Sequence, residues 1–505
     1  MDGRCTVHCA TIRGVQADLV EVEVAVSAGL PAFHVVGMTD TAIQESRVRV
    51  KAAIRAAGFA MPPDRVVVNL APSSLKKTGT GFDLAIALGI LAITKQIPEE
   101  VLRERLFVGE LSLEGFVRPV SGMLAYALAA RDLGFQLVGA SGSEVVEVEG
   151  VTQLGVSGLR DVLSDSFEPL APCSQGESAA QLDFADVGGN EVAKRALQIA
   201  AAGSHGVLMM GPPGSGKTML ASRLPSILPA LSKDEALDSA LVYSVAGLGI
   251  ASLLAGIRPF RAPHHSATSA GLVGGGSPIR PGEVSLAHNG VLMLDELAEF
   301  SPKTLQMLRQ PMEDGRVTIT RAEGTLVFPA RFMLVAACNP CPCGYLGDPE
   351  HECTCSGSQV NAYRNRIGGP LMDRIDMHID VSRVPPGDVM ESGGGSSSAD
   401  LREGVLVCRE FREWRLSRTG AGEMRAASLQ GAGRATTAQV IASCALSNAD
   451  MAFFEAACKA NKMSGRALVR TLSVARTIAD MSERESVSRT DLCEALNFRT
   501  REMGA

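Results

Sequence analysis

The sequence predicts an α/β protein organised on a parallel sheet that carries a phosphate-binding loop, and three observations support this. Gly211, Pro212, Pro213, Gly214, Ser215, Gly216, Lys217 and Thr218 fit the pattern G-x-x-x-x-G-K-[ST] at every fixed position. An apolar run at 206 to 210 precedes them and a helix-forming stretch at 218 to 224 follows, so the motif lies between a buried strand and a helix. A second apolar strand, 291 to 296, ends in the acidic pair Asp295 and Glu296 that such a loop needs as a partner.

The residue types explain the chemistry. Gly211, Gly214 and Gly216 let the backbone curl so that its N–H groups point inward onto phosphate, and the following helix adds the favourable field of its N-terminus. Lys217 is placed to reach the β- and γ-phosphates of a nucleotide, and Thr218 to put its hydroxyl on Mg²⁺. Asp295 is expected in the Mg²⁺ shell, which leaves Glu296 to polarise the attacking water. ATP and Mg²⁺ are the expected cofactors.

Composition bounds the remaining options. At 505 residues the chain has room for about three domains. No run of about 18 apolar residues lacks charges or breakers, and no basic-then-apolar leader opens the chain, so a cytoplasmic protein without a membrane partner is expected. A net charge of −7 excludes a surface coated in basic residues, leaving nucleic acid to local patches. With a single tryptophan, Trp414, a base-stacking platform is not expected. The twelve cysteines are expected to be reduced.

In chain order, residues 18 to 26 alternate as a half-buried strand, 41 to 57 have helical spacing, and 66 to 70 form a strand after Pro62 and Pro63. A helix over about 82 to 94, a strand from 106 to 113 and a helix from 123 to 133 complete an α/β domain over 1–165. Its segments Gly-Leu-Pro-Ala-Phe-His-Val-Val-Gly (29 to 37), Val-Asn-Leu-Ala-Pro (68 to 72), Gly-Phe-Asp-Leu-Ala-Ile-Ala-Leu-Gly (81 to 89) and Gly-Glu-Leu-Ser-Leu (109 to 113) resemble the N-terminal domain of the ComM/YifB family of magnesium-chelatase-like ATPases. The resemblance implies a Lon-protease-like (S5-type) fold there. Lon-type proteolysis needs a serine next to a lysine of depressed pKa. Ser73 or Ser74 stands in for the serine, but Leu124 occupies the matching lysine position and no lysine occurs from 96 to 193. A non-proteolytic relative is expected, unless Lys76, Lys77 or Lys95 substitutes.

Residues 166–182 have linker composition. The segment 183–385 resembles an AAA+ ATPase core, entered through Asp183 to Gly189 and the helix from Glu191 to Ala202. The span between its two nucleotide motifs exceeds what one strand and one helix require, so it holds an insertion. Arg258, Arg261, His264 and His265, with the glycines of 271 to 276, suit a loop that grips phosphates in a ring's channel, and the segment resembles the helix-2 insert of chelatase motors. Ser301 and Pro302 start a helix that Gly315 ends. Residues 316 to 335 alternate in two runs around 322 to 324, a β-hairpin with Arg316 and Arg321 on or near it. In the resembling motors the hairpin also points to the channel, so these six residues are the DNA-contact candidates.

The strand 332 to 337 runs into Asn339, at the position of a sensor-1 residue. Cys341 and Cys343, then nine residues, then Cys353 and Cys355, offer four thiolates in two close pairs, the donor set of a structural Zn²⁺; His351 is a substitute ligand and a metal-free loop the alternative. Arg374, in Asp-Arg-Ile-Asp, matches the arginine that related rings insert into a neighbour's ATP site. Residues 386–399 read as a Gly/Ser linker. The segment 400–505 reads as a helical lid, in which Arg466 resembles a sensor-2 arginine. Together these features imply a Mg²⁺-dependent ATPase forming a homo-oligomeric, six-membered ring. The family resemblance implies branch migration of branched or single-stranded DNA in transformation and recombination. A chelatase-type motor acting on a protein partner, an ATP-dependent protease and a non-catalytic scaffold are the alternatives.

Overall fold

Residues 3 to 27 form two long antiparallel strands, Gly3–Arg13 and Gln16–Ser27, paired along their whole length. The alternation seen in the sequence turns Val20, Val22, Val24 and Val26 inward, all buried. These strands sit within a mixed eight-stranded sheet. On one side they lead to Arg65–Ala71 and the edge strand Ala32–Val36, on the other to Arg105–Phe107, Gln136–Ala140, Gln153–Val156 and Glu168–Pro169. The computed structural model describes the chain except residues 1–2, 38–39, 76, 78–80, 174–181, 322–323, 386–394, 419–435 and 500–505. The hairpin's Ala322 and Glu323, Lys76 and most of the 386–399 linker therefore lie outside the described residues.

The helix Asp83–Ile93 is apolar on all sides and buried along nearly its whole length. It lies so close to the long hairpin that a Cβ on Gly89 would meet Val24 Cγ2 at 2.5 Å, which is why the run 81 to 89 carries a glycine there. The expected strand from 106 to 113 is corrected. It leaves the sheet after Phe107, because the Gly109 amide bonds the Gly81 carbonyl and the Gly109 carbonyl accepts from the Leu84 amide. Residues Glu110–Leu111 then pair with Val117–Arg118 in a separate ribbon.

The second sheet is wholly parallel, in the spatial order Phe260–Arg261, Gly290–Leu294, Phe332–Cys338, Val207–Met210, Met377–Asp380. Its strands read as continuous apolar runs because both faces are covered. Val207, Met209, Val291, Met293, Val335 and Ala337 face one core. Leu208, Met210, Leu292, Leu294, Leu334 and Ala336 face the other. The first core is shared with the C-terminal helices Ser398–Arg418, Thr437–Cys444, Asn448–Ala460, Gly465–Met481 and Arg489–Asn497, through residues such as Leu401, Val405, Leu472 and Ile478.

The two α/β units meet at two places. The helix Lys233–Ala246 and the turn Ala251–Leu254 add Ala236, Ala240 and Leu253 to the core of the N-terminal sheet. There the Gly122 amide bonds the Ser244 carbonyl and the Leu124 amide bonds the Ser244 hydroxyl. The turn at Gly14 lies under the hairpin Arg316–Arg321/Gly324–Pro329, where a Cβ on Gly14 would meet the Val327 carbonyl at 2.9 Å.

Candidate active site

Register brings the nucleotide motifs to one edge. Met210 lies opposite Cys338 and Leu294 opposite Ala336, so the loop from Gly211, the acidic pair and Asn339 all emerge at the carboxyl ends of adjacent parallel strands. Gly214 and Gly216 have φ of +78° and +87°, the left-handed backbone that the loop's curl requires and that favours glycine.

The side chains converge there. Lys217 is buried and its Nζ donates to the Gly211 and Pro212 carbonyls at 2.8 and 2.9 Å; the Asn339 amide oxygen lies 3.4 Å away. Burial lowers the Lys217 pKa, and the charge of Asp295 opposes that shift. Thr218 Oγ1 donates to Asp295 Oδ2 at 2.6 Å. A hydroxyl beside a carboxylate is a hard oxygen pair suited to Mg²⁺, and a loop of backbone amides with a buried ammonium suits a triphosphate. These residues fit both groups. When bound, Mg²⁺ would neutralise charge developing on the phosphates.

Glu296 follows in the left-handed region, φ +51°, a conformation uncommon outside glycine and its polar mimics, with its amide bonded to Asp295 Oδ1. The carboxylate is not free. His265 Nδ1, from the insert, lies 3.0 Å from Glu296 Oε2. The contact is an ion pair when the ring carries its second proton. His264 packs against His265 with ring centroids 4.0 Å apart and the rings tilted by 34°, and stays exposed. The sequence singled out His265 as a DNA contact; its place beside the candidate base could not be read from a separation of 31 positions.

Arg258 and Arg261, the insert's two arginine candidates, are both engaged by carboxylates of this chain. Arg258 is nearly buried, pairs with Glu235 at 2.8 Å and donates to the Pro229 and Asn289 carbonyls. Arg261 is held bidentately by Glu283 at 2.6 and 2.8 Å. Both tie the insert to neighbouring elements. Arg316 and Arg321 on the hairpin are exposed.

Arg374 and Arg466 gather on one carboxylate away from the P-loop. Arg374 pairs with Glu313 at 2.7 Å and donates to the Pro370 carbonyl; Arg466 reaches the same Glu313 oxygen at 4.0 Å and is largely exposed. Neither has a contact to Lys217, Thr218 or Glu296 among the described residues.

The four cysteines do come together. Cys341 Sγ lies 3.4 Å from Cys343 and 3.7 Å from Cys353, Cys343 lies 3.6 Å from Cys353, and all four sulfurs fall within 4.8 Å of one another. His351 is turned instead towards Asp348 and Arg383. In the N-terminal unit, Ser73 and Ser74 are exposed, while Lys77 is buried and donates to the Pro72 carbonyl. Leu124, at the expected lysine position, is buried.

Three family models match successive parts of the chain. They are magnesium chelatase, subunit ChlI, over residues 183–389; subunit ChlI of Mg-chelatase over 22–140; and magnesium chelatase, subunit ChlI C-terminal, over 395–499. The chain is 42% identical over 507 residues to competence protein ComM of Haemophilus influenzae, covering 98% of this chain and 97% of that protein. It is 38% identical over 501 residues to YifB of Escherichia coli, covering 98% and 96%. A magnesium-chelatase 67 kDa subunit of Chlorobaculum parvum is 29% identical over 159 residues, 31% of this chain and 23% of that protein.

Proposed function

The chain belongs to the ComM/YifB family of magnesium-chelatase-like proteins, and from that premise we propose that it is a Mg²⁺-dependent AAA+ ATPase that remodels DNA as a six-membered ring. The observation that carries the ATPase reading is the meeting of Lys217, Thr218, Asp295, Glu296 and Asn339 at one sheet edge. In that reading the loop amides and Lys217 bind the phosphates, while Thr218 and Asp295 hold Mg²⁺. Glu296 takes the proton of the attacking water, and Asn339 orients that water without adding charge. Arg374 and Arg466, held away from their own P-loop, serve the site of the neighbouring subunit, so hydrolysis requires assembly.

DNA enters the reading from the family and from the insert. A relative carries the name competence protein, and branch migration of branched or single-stranded intermediates during transformation is the work proposed here. The contact between His265 and Glu296 supplies a physical link, because a ligand drawn to exposed His264 would disturb the residue that holds the base. Of the six DNA-contact candidates, His264, His265, Arg316 and Arg321 remain. The N-terminal domain is proposed to be Lon-like in fold and non-proteolytic, since Lys77 spends its ammonium on a carbonyl and the 122 to 124 segment is bonded to Ser244. The four cysteines are proposed to hold Zn²⁺. A cytoplasmic location is proposed; among the described residues no helix is long and apolar enough to cross a membrane.

The test is ATP turnover with a four-way junction, single-stranded DNA, linear duplex or no DNA, together with strand displacement. Stimulation by branched or single-stranded DNA, abolished by Lys217→Ala, is the expected outcome; turnover indifferent to DNA with no displacement would overturn the DNA reading. The 29% match to a magnesium-chelatase subunit favours a second reading, a motor acting on a protein partner. In that case a protein would stimulate turnover and DNA would not.

A further inference from the structure

The four-cysteine cluster is not an isolated staple. It begins two residues after Asn339, and its loop lies on the P-loop. A Cβ on Gly344, whose φ is +87°, would meet Pro213 Cδ at 2.6 Å and the Asn339 side chain at 3.8 Å, so this glycine is packed against both. From the far side Arg383 closes the arrangement. Its Nη2 donates to the Pro213 carbonyl at 3.4 Å, its Nε lies 3.3 Å from Asp348, its Nη1 lies 3.7 Å from Glu350, and its guanidinium stacks over Tyr345 at 5.6 Å. The cluster also ends on a fixed point. Cys355 directly precedes Ser356, which caps the helix Gly357–Ile367, whose Tyr363 and Ile367 are buried in the core beneath the sheet.

The separations among Cys341, Cys343 and Cys353, 3.4 to 3.7 Å, are close to the about 3.8 Å set by four metal–sulfur bonds of about 2.3 Å in a tetrahedron, and the Cys355 sulfur lies within 4.8 Å of the other three. A loop of this length, without an apolar core of its own, depends on such a knot to hold one shape. Without a cation the four sulfurs lose the bonds that tie them together, and the loop carrying Gly344 would relax away from Pro213.

We propose that the Cys341–Cys355 knot is a metal-held brace for the nucleotide site, so that Zn²⁺ occupancy and nucleotide affinity are coupled in both directions. The proposal rests on the ATP and Zn²⁺ readings above. The brace fixes the P-loop at Pro213 and the amide of Asn339 relative to Lys217. By linkage, whatever factor Zn²⁺ adds to nucleotide affinity, nucleotide adds to Zn²⁺ affinity.

The experiment uses the full chain. Zinc content is measured per chain, the rate of Zn²⁺ loss to a chromophoric chelator is followed with and without a non-hydrolysable ATP analogue, and the affinity for a fluorescent ATP analogue is titrated before and after zinc removal. One Zn²⁺ per chain, chelation slowed by the analogue, and nucleotide affinity lowered at least about fivefold on zinc removal are expected. Gly344→Ala retains all four thiols, so it should keep its zinc while binding nucleotide more weakly; Cys353→Ser should lose both. Should Cys353→Ser fail to fold, the chelation rates of the unaltered chain and Gly344→Ala still decide the matter. Zinc bound, with chelation and nucleotide affinity indifferent to one another, overturns the brace. A zinc-free chain overturns the Zn²⁺ reading beneath it, and a zinc-loaded chain that binds no nucleotide overturns the ATP reading instead.

Discussion

Glu296 carries the demand that most constrains its neighbours, since a base must keep a lone pair available for the water it activates. In this structure His265 occupies one of its oxygens at 3.0 Å. Replacing His265 by Ala removes that contact and is expected to raise DNA-free turnover, by up to about tenfold, equivalent to about 1.4 kcal/mol, while KM for ATP stays nearly constant. Asn places a donor near the Nδ1 position, so His265→Asn should restore the low basal rate; steady-state kinetics of both variants check this. Arg258 makes the opposite kind of prediction. Its charge is paired with Glu235 in a nearly buried place, so Arg258→Ala should lower stability by about 3 kcal/mol in chemical denaturation, whatever it does to DNA affinity. The P-loop residues were legible because their spacing is local. The partners of His265 and Arg258 lie 31 and 23 positions away, and no local pattern encodes such a meeting.

At the scale of elements, apolar runs of strand length located three of the five parallel strands, at 206 to 210, 291 to 296 and 332 to 337, and the alternation of Val207 to Met210 over two buried cores explains why they carry no polar face. The break after Phe107 was hidden, because the hydrogen bonds that turn the chain there come from Gly81 and Leu84. Packing between elements also buries His205 and His288 and half-buries His378. Burial pushes His205 and His378 down to about 4 and His288 down to about 3, with nearby arginines adding to each shift. These folded values lie below the roughly 6.5 of an unfolded histidine, so the unfolded chain takes up protons first as pH falls. The stability these neutral histidines contribute is complete above about pH 6.5 and is lost from there down to about 4, by about 1.4 kcal/mol per pH unit for each. Denaturant midpoints measured between pH 7.5 and 5 should fall accordingly. His205→Gln, which keeps a polar group near Thr477 at 2.8 Å, should reduce the slope.

For the whole molecule, the proposed reading of the two arginines gathered on Glu313 is that a single chain lacks part of its own catalytic set. Mixing unaltered chain with an excess of Lys217→Ala should depress turnover below simple dilution, and Arg374→Ala should bind nucleotide yet hydrolyse it poorly; proportional dilution and an active Arg374→Ala would remove the ring from the reading. The N-terminal unit is joined to the P-loop unit through Ser244 and the shared core at Ala236, Ala240 and Leu253. By itself the sequence determined the phosphate loop, its acidic partner, the paired cysteines and the strands that flank the loop, because each is written in residues close together along the chain, where backbone conformation and periodicity act. Only the tertiary structure decided that His265 holds Glu296, that Arg258 and Arg261 are tied down by carboxylates, and that the cysteine loop rests on Pro213. Those contacts join segments tens of residues apart, and their energy exists only after the sheets have set the register that brings them together.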